Sequence, residues 1–305
     1  MKKLKTVPLD MSWFLENFDE YLKRKEFVDF QNIIGFDYRD CFDETKIEHI
    51  AKKICHHSSL FYEIRRNKGG AFFPEKVYRE DSNYFNSAPE QIPEADNIFM
   101  YRPMCYSLKL RANTINKVIL PYLFDTKLNK LDNIIVANLG SGLGKDIEYT
   151  AIDCNYLKKI SRIINIDLDL NAINIGKNLI PNVIKDKVSF YNMNFIKNNP
   201  ENVLYNLALL IGIICPLTDE SAINLLKNVY NHISYNGFIL VSSSSAKMSK
   251  HDPFCSFNIQ LCAKWALNCR SEECLKTVLE KSGFCDIEIL SEPSGYNLVG
   301  VGRKK

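Results

Sequence analysis

Three glycines in five positions, Gly140, Gly142 and Gly144, follow the apolar start of VANLGSGLGKDI, residues 136–147. Glycine at this density lets a backbone lie directly against a ligand, because no Cβ intervenes and left-handed φ values carry no steric penalty. The next apolar run ends near two carboxylates, Asp167 and Asp169. A carboxylate at the end of a second strand can accept both hydroxyls of a ribose, a role that falls here on Asp167, while Asp169 caps a helix beginning at Asn171. Together these residues point to a nucleoside-bearing ligand.

The spacing excludes two phosphate-binding loops. A P-loop needs GxxxxGK[ST], but Asp146 follows Gly144-Lys145 and Leu139 stands five positions before Gly144. A dinucleotide fingerprint needs GxGxxG, and its third glycine would fall on Lys145. The GxGxG spacing that remains lets the backbone lie against a ribose and a short charged tail, with no diphosphate to cradle.

Such a loop must be held at the carboxyl end of a strand. From about residue 133, apolar runs of strand length alternate with amphipathic stretches: IIVANL (134–139), RIINID (162–167), VSFYNM (188–193), LALLIGII (207–214) and FILVSS (238–243). Helical periodicity fills the gaps in NAINIGKNLI and DESAINLLKNVYNHI, so the pattern predicts βαβ units around a parallel sheet. CDIEIL and NLVGVGR follow a last helix and are separated only by SEPSGY, too short for a parallel crossover; they are expected to pair antiparallel. The fold expected is a doubly wound α/β sheet of seven strands, Rossmann-like and mostly parallel, with a C-terminal antiparallel hairpin.

Residues 1–130 read as a helical cap or lid and residues 131–305 as the sheet domain. Between Lys68 and Tyr106, glycines and prolines interrupt any helix, while Phe72, Phe73, Tyr78, Tyr84 and Phe85 supply apolar surface. This stretch is expected to be a mobile lid that the ligand orders.

Composition bounds the partners. Lys and Arg number 39 against 36 Asp and Glu, a net charge of +3 without a concentrated basic patch, so no nucleic-acid partner is expected. The longest apolar run, residues 207–217, is too short to span a bilayer, and Pro8, Asp10 and Ser12 interrupt the start where a signal peptide would need apolar residues. A cytoplasmic protein is expected, without a membrane partner. The ten cysteines include no CxxC pair; Cys55-His56-His57 does not make a convincing metal site, and Cys255, Cys262 and Cys269 at heptad spacing read as one buried helix face. No metal is expected.

ANLGSGLG, IINIDLDLNAI, VSFYNMNF, LALLIGIICPLTD and GFILVSSSS, then EKSGFCDIEIL and NLVGVGRK, resemble in order and spacing the class I S-adenosylmethionine-dependent methyltransferase family, small-molecule type. The resemblance covers about residues 131–305. It implies S-adenosyl-L-methionine as cofactor, held by Gly140, Ser141, Gly142 and Gly144, by Asp167 and Leu168 at the ribose, by Asn194 and Phe195 at the adenine, and by Gly212 after the fourth strand. Asn194 stands where the family often has Asp, and Asn206 departs similarly at a strand start, where a structural role is expected.

Methyl transfer from a sulfonium requires mainly that an acceptor be placed in line with the activated methyl, so no catalytic residue is assigned. Substrate contacts are expected from Tyr101, Arg102, Tyr106 and Arg111, and in the insertion after the fifth strand His251 and Trp265 are weaker candidates for a base and a pocket wall. Cys215-Pro216-Leu217 lacks the [DNS]PP[YFW] pattern used on base amino groups, and Cys215 reads as packing. The function expected is methylation of a small molecule held between the sheet domain and the helical lid. A protein or RNA methyltransferase, an aminocarboxypropyl transferase using the same cofactor, and a cofactor-binding module without catalysis are the alternatives.

Overall fold

The protein is described from a computed structural model, which covers residues 12–66, 74, 77, 93–147, 154–263 and 267–305. The chain divides into two compact units, one formed by residues 1–109 with 246–267 and the other by residues 110–245 with 268–305.

The second unit is built on seven strands: β1 (Ile134–Leu139), β2 (Ile160–Asp167), β3 (Val188–Asn192), β4 (Tyr205–Leu210), β5 (Ile233–Ser244), β6 (Cys285–Ser291) and β7 (Asn297–Arg303). Their order in the sheet is β3-β2-β1-β4-β5-β7-β6. Strands β1 to β5 run parallel, and β7 lies antiparallel between β5 and β6. The expected doubly wound sheet with its terminal hairpin is therefore the observed one. Alternate side chains enter different layers. Val136, Ile163, Leu209 and Leu240 join a core with Ile115, Ile119, Leu123, Phe124 and Leu128 on one face. Ala137, Ile164, Leu210 and Val241 pack on the other face with Leu225, Val229, Leu275 and Leu279.

The first of these layers explains where the boundary falls. The sequence pattern places it after residue 130, but the helical stretch 115–128 carries its apolar side chains into the sheet's core and belongs with the strands. The fourth strand also stops earlier than its apolar run: β4 ends at Leu210, because Gly212 adopts φ +77°, a left-handed value that ends extended pairing.

The first unit is helical, with helices Lys25–Ile34, Ile47–His57 and Ser59–Arg66 around a central helix, Pro253–Ala263, that is buried on every side. Phe14 stacks on Phe257 at 4.4 Å, and Phe27 and Phe30 meet Phe254 edge-on at 5.3 and 5.2 Å. Asn258 Nδ2 donates to the buried Tyr38 hydroxyl at 3.0 Å. These contacts draw the insertion after β5 into the helical unit, so the expected two-part division at one point in the chain is replaced by one with an excursion. Cys255 and Cys262 are buried on that helix, and burial pushes both thiols up. Cys269 lies beyond the helix end and is half-buried, so the heptad stripe extends over two cysteines rather than three.

Candidate functional site

The glycine loop sits at the carboxyl end of β1, where open α/β sheets receive ligands. Gly140, Gly142 and Gly144 have φ of +71°, +52° and +76°, so the loop turns three times through backbone conformations that other residues adopt at a cost. Its glycines are also close-packed. A Cβ on Gly140 would lie 2.2 Å from Ile213 Cδ1, and one on Gly144 would lie 3.1 Å from both Asn165 Oδ1 and Phe190 Cζ. The amides of Gly140 and Ser141 both donate to the Ile166 carbonyl, at 2.8 and 3.0 Å, which ties the first turn to β2.

Asp167 ends β2 and faces this loop. One carboxylate oxygen accepts from the Gly142 amide at 2.7 Å and the other from the Asp169 amide at 2.8 Å. Asp169 itself accepts from the amides of Asn171 and Ala172, so it caps the helix Leu170–Asn178. The two acids thus have the separate positions that the sequence pattern implies. Leu168, between them, is largely exposed. Asn194 forms a local turn, its Oδ1 accepting from the Ile196 amide at 2.9 Å, with half-buried Phe195 inside that turn. Asn206 is structural: its Oδ1 accepts from the Ile135 amide at 2.8 Å.

A polar group that sequence reasoning did not single out lies beneath the loop. Asn138 and Asn165 are fully buried in β1 and β2, directly paired in register, with Asn138 Nδ2 donating to Asn165 Oδ1 at 3.2 Å. Asn138 also hydrogen-bonds Asp146, whose carboxyl is raised to about 7 by burial. The Arg111 guanidinium and the Asn138 bond oppose that rise, and the charge of Asp167 adds to it. Arg111 is 5% exposed, and its Nη1 would stand 3.9 Å from a Cβ placed on Gly212. The available signal was polar residues inside strands otherwise apolar, Asn in IIVANL and in RIINID.

No protein-family model matches this sequence, and neither does any curated protein. Among solved structures, a possible exported protein from Bordetella parapertussis superposes with a TM-score of 0.62 at 13% identity, over 92% of this chain and 97% of that one. Magnesium protoporphyrin IX methyltransferase from Synechocystis PCC 6803, solved with S-adenosylhomocysteine bound, gives a TM-score of 0.53 at 8% identity over 80% of this chain and 96% of its own. Its complex with S-adenosylmethionine gives 0.52 at 9% identity, over 81% and 97%. The fold is that of the class I methyltransferases.

The residues expected at the substrate are divided between the two units. Arg102 and Arg111, nine residues apart, belong to different units. The Arg102 guanidinium is held by Glu26 at 3.0 Å and by the fully buried Asp252 at 3.3 Å, all within the helical unit. Tyr101 and Tyr106 are 80% and 58% exposed. His251 ends the helix Ala246–His251 in the same unit. Trp265 and the aromatic residues expected in the lid, Phe72, Phe73, Tyr78, Tyr84 and Phe85, lie outside the described residues. Cys215 is buried and directs its thiol toward the Ser242 carbonyl at 4.0 Å, a packing position. Among the described residues no group of three His, Cys, Asp or Glu side chains is placed to hold a metal, and no helix is long and apolar enough to cross a membrane.

Proposed function

We propose that this chain binds S-adenosyl-L-methionine and transfers its methyl group to a small-molecule acceptor. The observation that carries the reading is the Asp167 carboxylate fastened to the Gly142 amide at the carboxyl ends of β1 and β2. Each of its oxygens has one backbone donor and a lone pair to spare, so the pair of acceptors needed for a 2′,3′-diol is already oriented.

The residues fit the rest of the cofactor. Asn138 Oδ1 and Ser141 Oγ are buried polar atoms without a hydrogen-bond partner among the described residues, as expected where a polar ligand completes the set. Among the described residues, and apart from its chain neighbours, Gly212 has only the Arg111 guanidinium within 4 Å of where a Cβ would stand, so it offers a cradle a side chain would fill. Gly140, Ser141, Gly142, Gly144 and Gly212 would lie along the methionine and ribose portions, Asp167 and Leu168 at the ribose, and Asn194 and Phe195 at the adenine.

The cofactor, when bound, supplies an already activated methyl group. The chain's own contribution is to orient it: the glycine loop excludes water from the backbone contact, and Asp167 holds the ribose. Within the helical unit Tyr101 and Tyr106 have exposed rings, whereas Arg102 is held by its two carboxylates.

Thermal unfolding with added ligands tests the reading. S-adenosylmethionine and S-adenosylhomocysteine should raise the melting temperature, by about 2.7 kcal/mol of stabilisation at a hundredfold excess over Kd, while NAD and ATP do not. Stabilisation by NAD alone would reject it. Incubation with labelled cofactor and a metabolite extract, followed by mass analysis, separates a methyl gain from transfer of the aminocarboxypropyl arm.

A further inference from the structure

Four cysteines of the helical unit stand in two thiol pairs. Cys255 and Cys262 lie on its buried helix, Pro253–Ala263, at a separation that sends both side chains off one face about two turns, or roughly 10 Å, apart. Each meets a thiol from a different helix. Cys255 donates a hydrogen bond to Cys105 on the helix Pro103–Thr114, and Cys262 donates one to Cys55 on the helix Ile47–His57. Cys55 in turn donates to the Phe61 carbonyl at 3.2 Å. All four belong to the same unit; Cys55 is 5% exposed and the other three are fully buried.

A metal centre would need more ligands than a thiol pair, and among the described residues no three His, Cys, Asp or Glu side chains are placed to supply them. Packing alone gives a buried cysteine any apolar neighbour, whereas here sulfur faces sulfur twice along one helix. Burial pushes the thiols of Cys255 and Cys262 well up and keeps them protonated in the folded unit. A guanidinium beside each acts the other way: Arg102 at Cys255 and Arg65 at Cys262, whose carbonyl accepts from Arg65 Nη1 at 3.4 Å. The thiolate is the reacting form, so these thiols react while the unit is still open to water and become inert once it has closed.

Chain topology gives such a reaction a structural effect. The helical unit is assembled from residues 1–109 and 246–267, so its central helix returns only after the sheet has been built. A bond from Cys105 to Cys255 would close a loop of about 150 residues, and one from Cys55 to Cys262 a loop of about 200. Cross-links over loops of that length restrict the unfolded chain most.

We propose that Cys105 with Cys255 and Cys55 with Cys262 form two disulfides that fasten the central helix to its neighbours when the chain folds in the presence of a disulfide oxidant. In each pair one thiolate attacks the oxidant's sulfur–sulfur bond, giving a mixed disulfide and releasing one thiolate. The second cysteine then attacks the mixed disulfide and releases the other. Each pair gives up two protons and two electrons, which leave as the two thiols of the reduced oxidant. A reducing compartment leaves both pairs as dithiols.

The full chain is unfolded in denaturant with a reductant, refolded in reduced and oxidised glutathione, and alkylated without reduction. Intact mass and peptide mapping then read the product. It should have lost four hydrogens and yield two linked peptide pairs, Cys55 with Cys262 and Cys105 with Cys255. Cys105→Ser should lose the second link and keep the first. The oxidised protein should melt about 5–15 °C above the same protein kept reduced. Four alkylated thiols, glutathione adducts alone, or a link from Cys262 to Cys41, the other thiol that bears on it electrostatically, overturn the proposal. So does a melting temperature indifferent to oxidation. Should the chain aggregate on refolding, protein produced in an oxidising bacterial periplasm is mapped in the same way, and free thiols at these four positions refute the assignment.

Discussion

The Gly142 amide lies 2.7 Å from a carboxylate oxygen of Asp167, 25 residues further along the chain. This bond joins the loop after β1 to the end of β2. With the Asp169 amide on the other oxygen, the carboxylate is fixed in orientation before any ligand arrives, so a diol would meet acceptors that lose little rotational freedom on binding.

Replacing Asp167 by Ala should therefore weaken every adenosine ligand, not only those with an amino-acid tail. Loss of charge-assisted hydrogen bonds corresponds to about 1.5–3 kcal/mol, and S-adenosylhomocysteine and 5′-methylthioadenosine should lose affinity together. Asp169→Ala supplies the contrast. It removes a helix cap, costing about 1 kcal/mol of stability, and should leave both affinities unchanged in calorimetry. A loss of affinity in Asp169→Ala with none in Asp167→Ala would reverse the assignment.

Gly140→Ala tests the loop's packing. The added methyl must occupy a left-handed backbone at φ +71° and displace Ile213, whose Cδ1 and Cγ1 would lie 2.2 and 2.9 Å away. The backbone term alone is about 1–2 kcal/mol. Chemical denaturation of the single variant should show at least that loss. Adding Ile213→Ala should recover the steric part and leave the backbone part, so a double variant no better than Gly140→Ala would refute the clash.

In the helical unit, Arg102→Met should lower stability more than Glu26→Gln does. Asp252 is fully buried and, among the described residues, keeps only the amides of Met104 and Cys255 once the guanidinium is gone, at 3.1 and 3.2 Å. Removing one partner of a buried ion pair typically costs about 3–5 kcal/mol. Asp252→Asn in the Arg102→Met background should restore part of the loss, and no recovery in denaturant midpoint would argue against the charge as its cause.

The fold was legible because its signals are local. Strand-length apolar runs, the cap at Asp169 and the short SEPSGY link each act within a few residues, and each marked an element that is present. What the sequence hid are contacts across long separations. Arg102 and Arg111 read as neighbours on one stretch, yet one is paired with Asp252 and the other faces Asp146 and Gly212. Nothing in a linear pattern says that Phe254 and Phe257 will pack on Phe27, Phe30 and Phe14, which is what assigns the insertion to the helical unit. The strand ending at Leu210 was overrun for a related reason: the residues after it are apolar on account of packing, while Gly212 sets the backbone.

Asp146 makes the stability of the second unit pH-dependent, and the sign is the reverse of that for a salt-bridged acid. Its carboxyl is raised to about 7 in the folded protein, chiefly by burial, from an ordinary value near 3.8. Between those two values the folded state keeps a proton that the unfolded state has released, so this group's contribution falls as pH rises from about 4 to about 7 and is level above. Asp146→Asn cannot ionise and lacks that loss. Denaturant unfolding at a series of pH values should therefore show the variant gaining on the wild type across this window, then running parallel to it. The groups that face Asp146 set the midpoint: Arg111 lowers it, Asn138 lowers it through a hydrogen bond, and Asp167 raises it. Arg111→Met should move the midpoint upward and Asp167→Asn downward. Parallel curves for wild type and Asp146→Asn throughout pH 4–7 would mean that Asp146 titrates as an ordinary surface carboxylate.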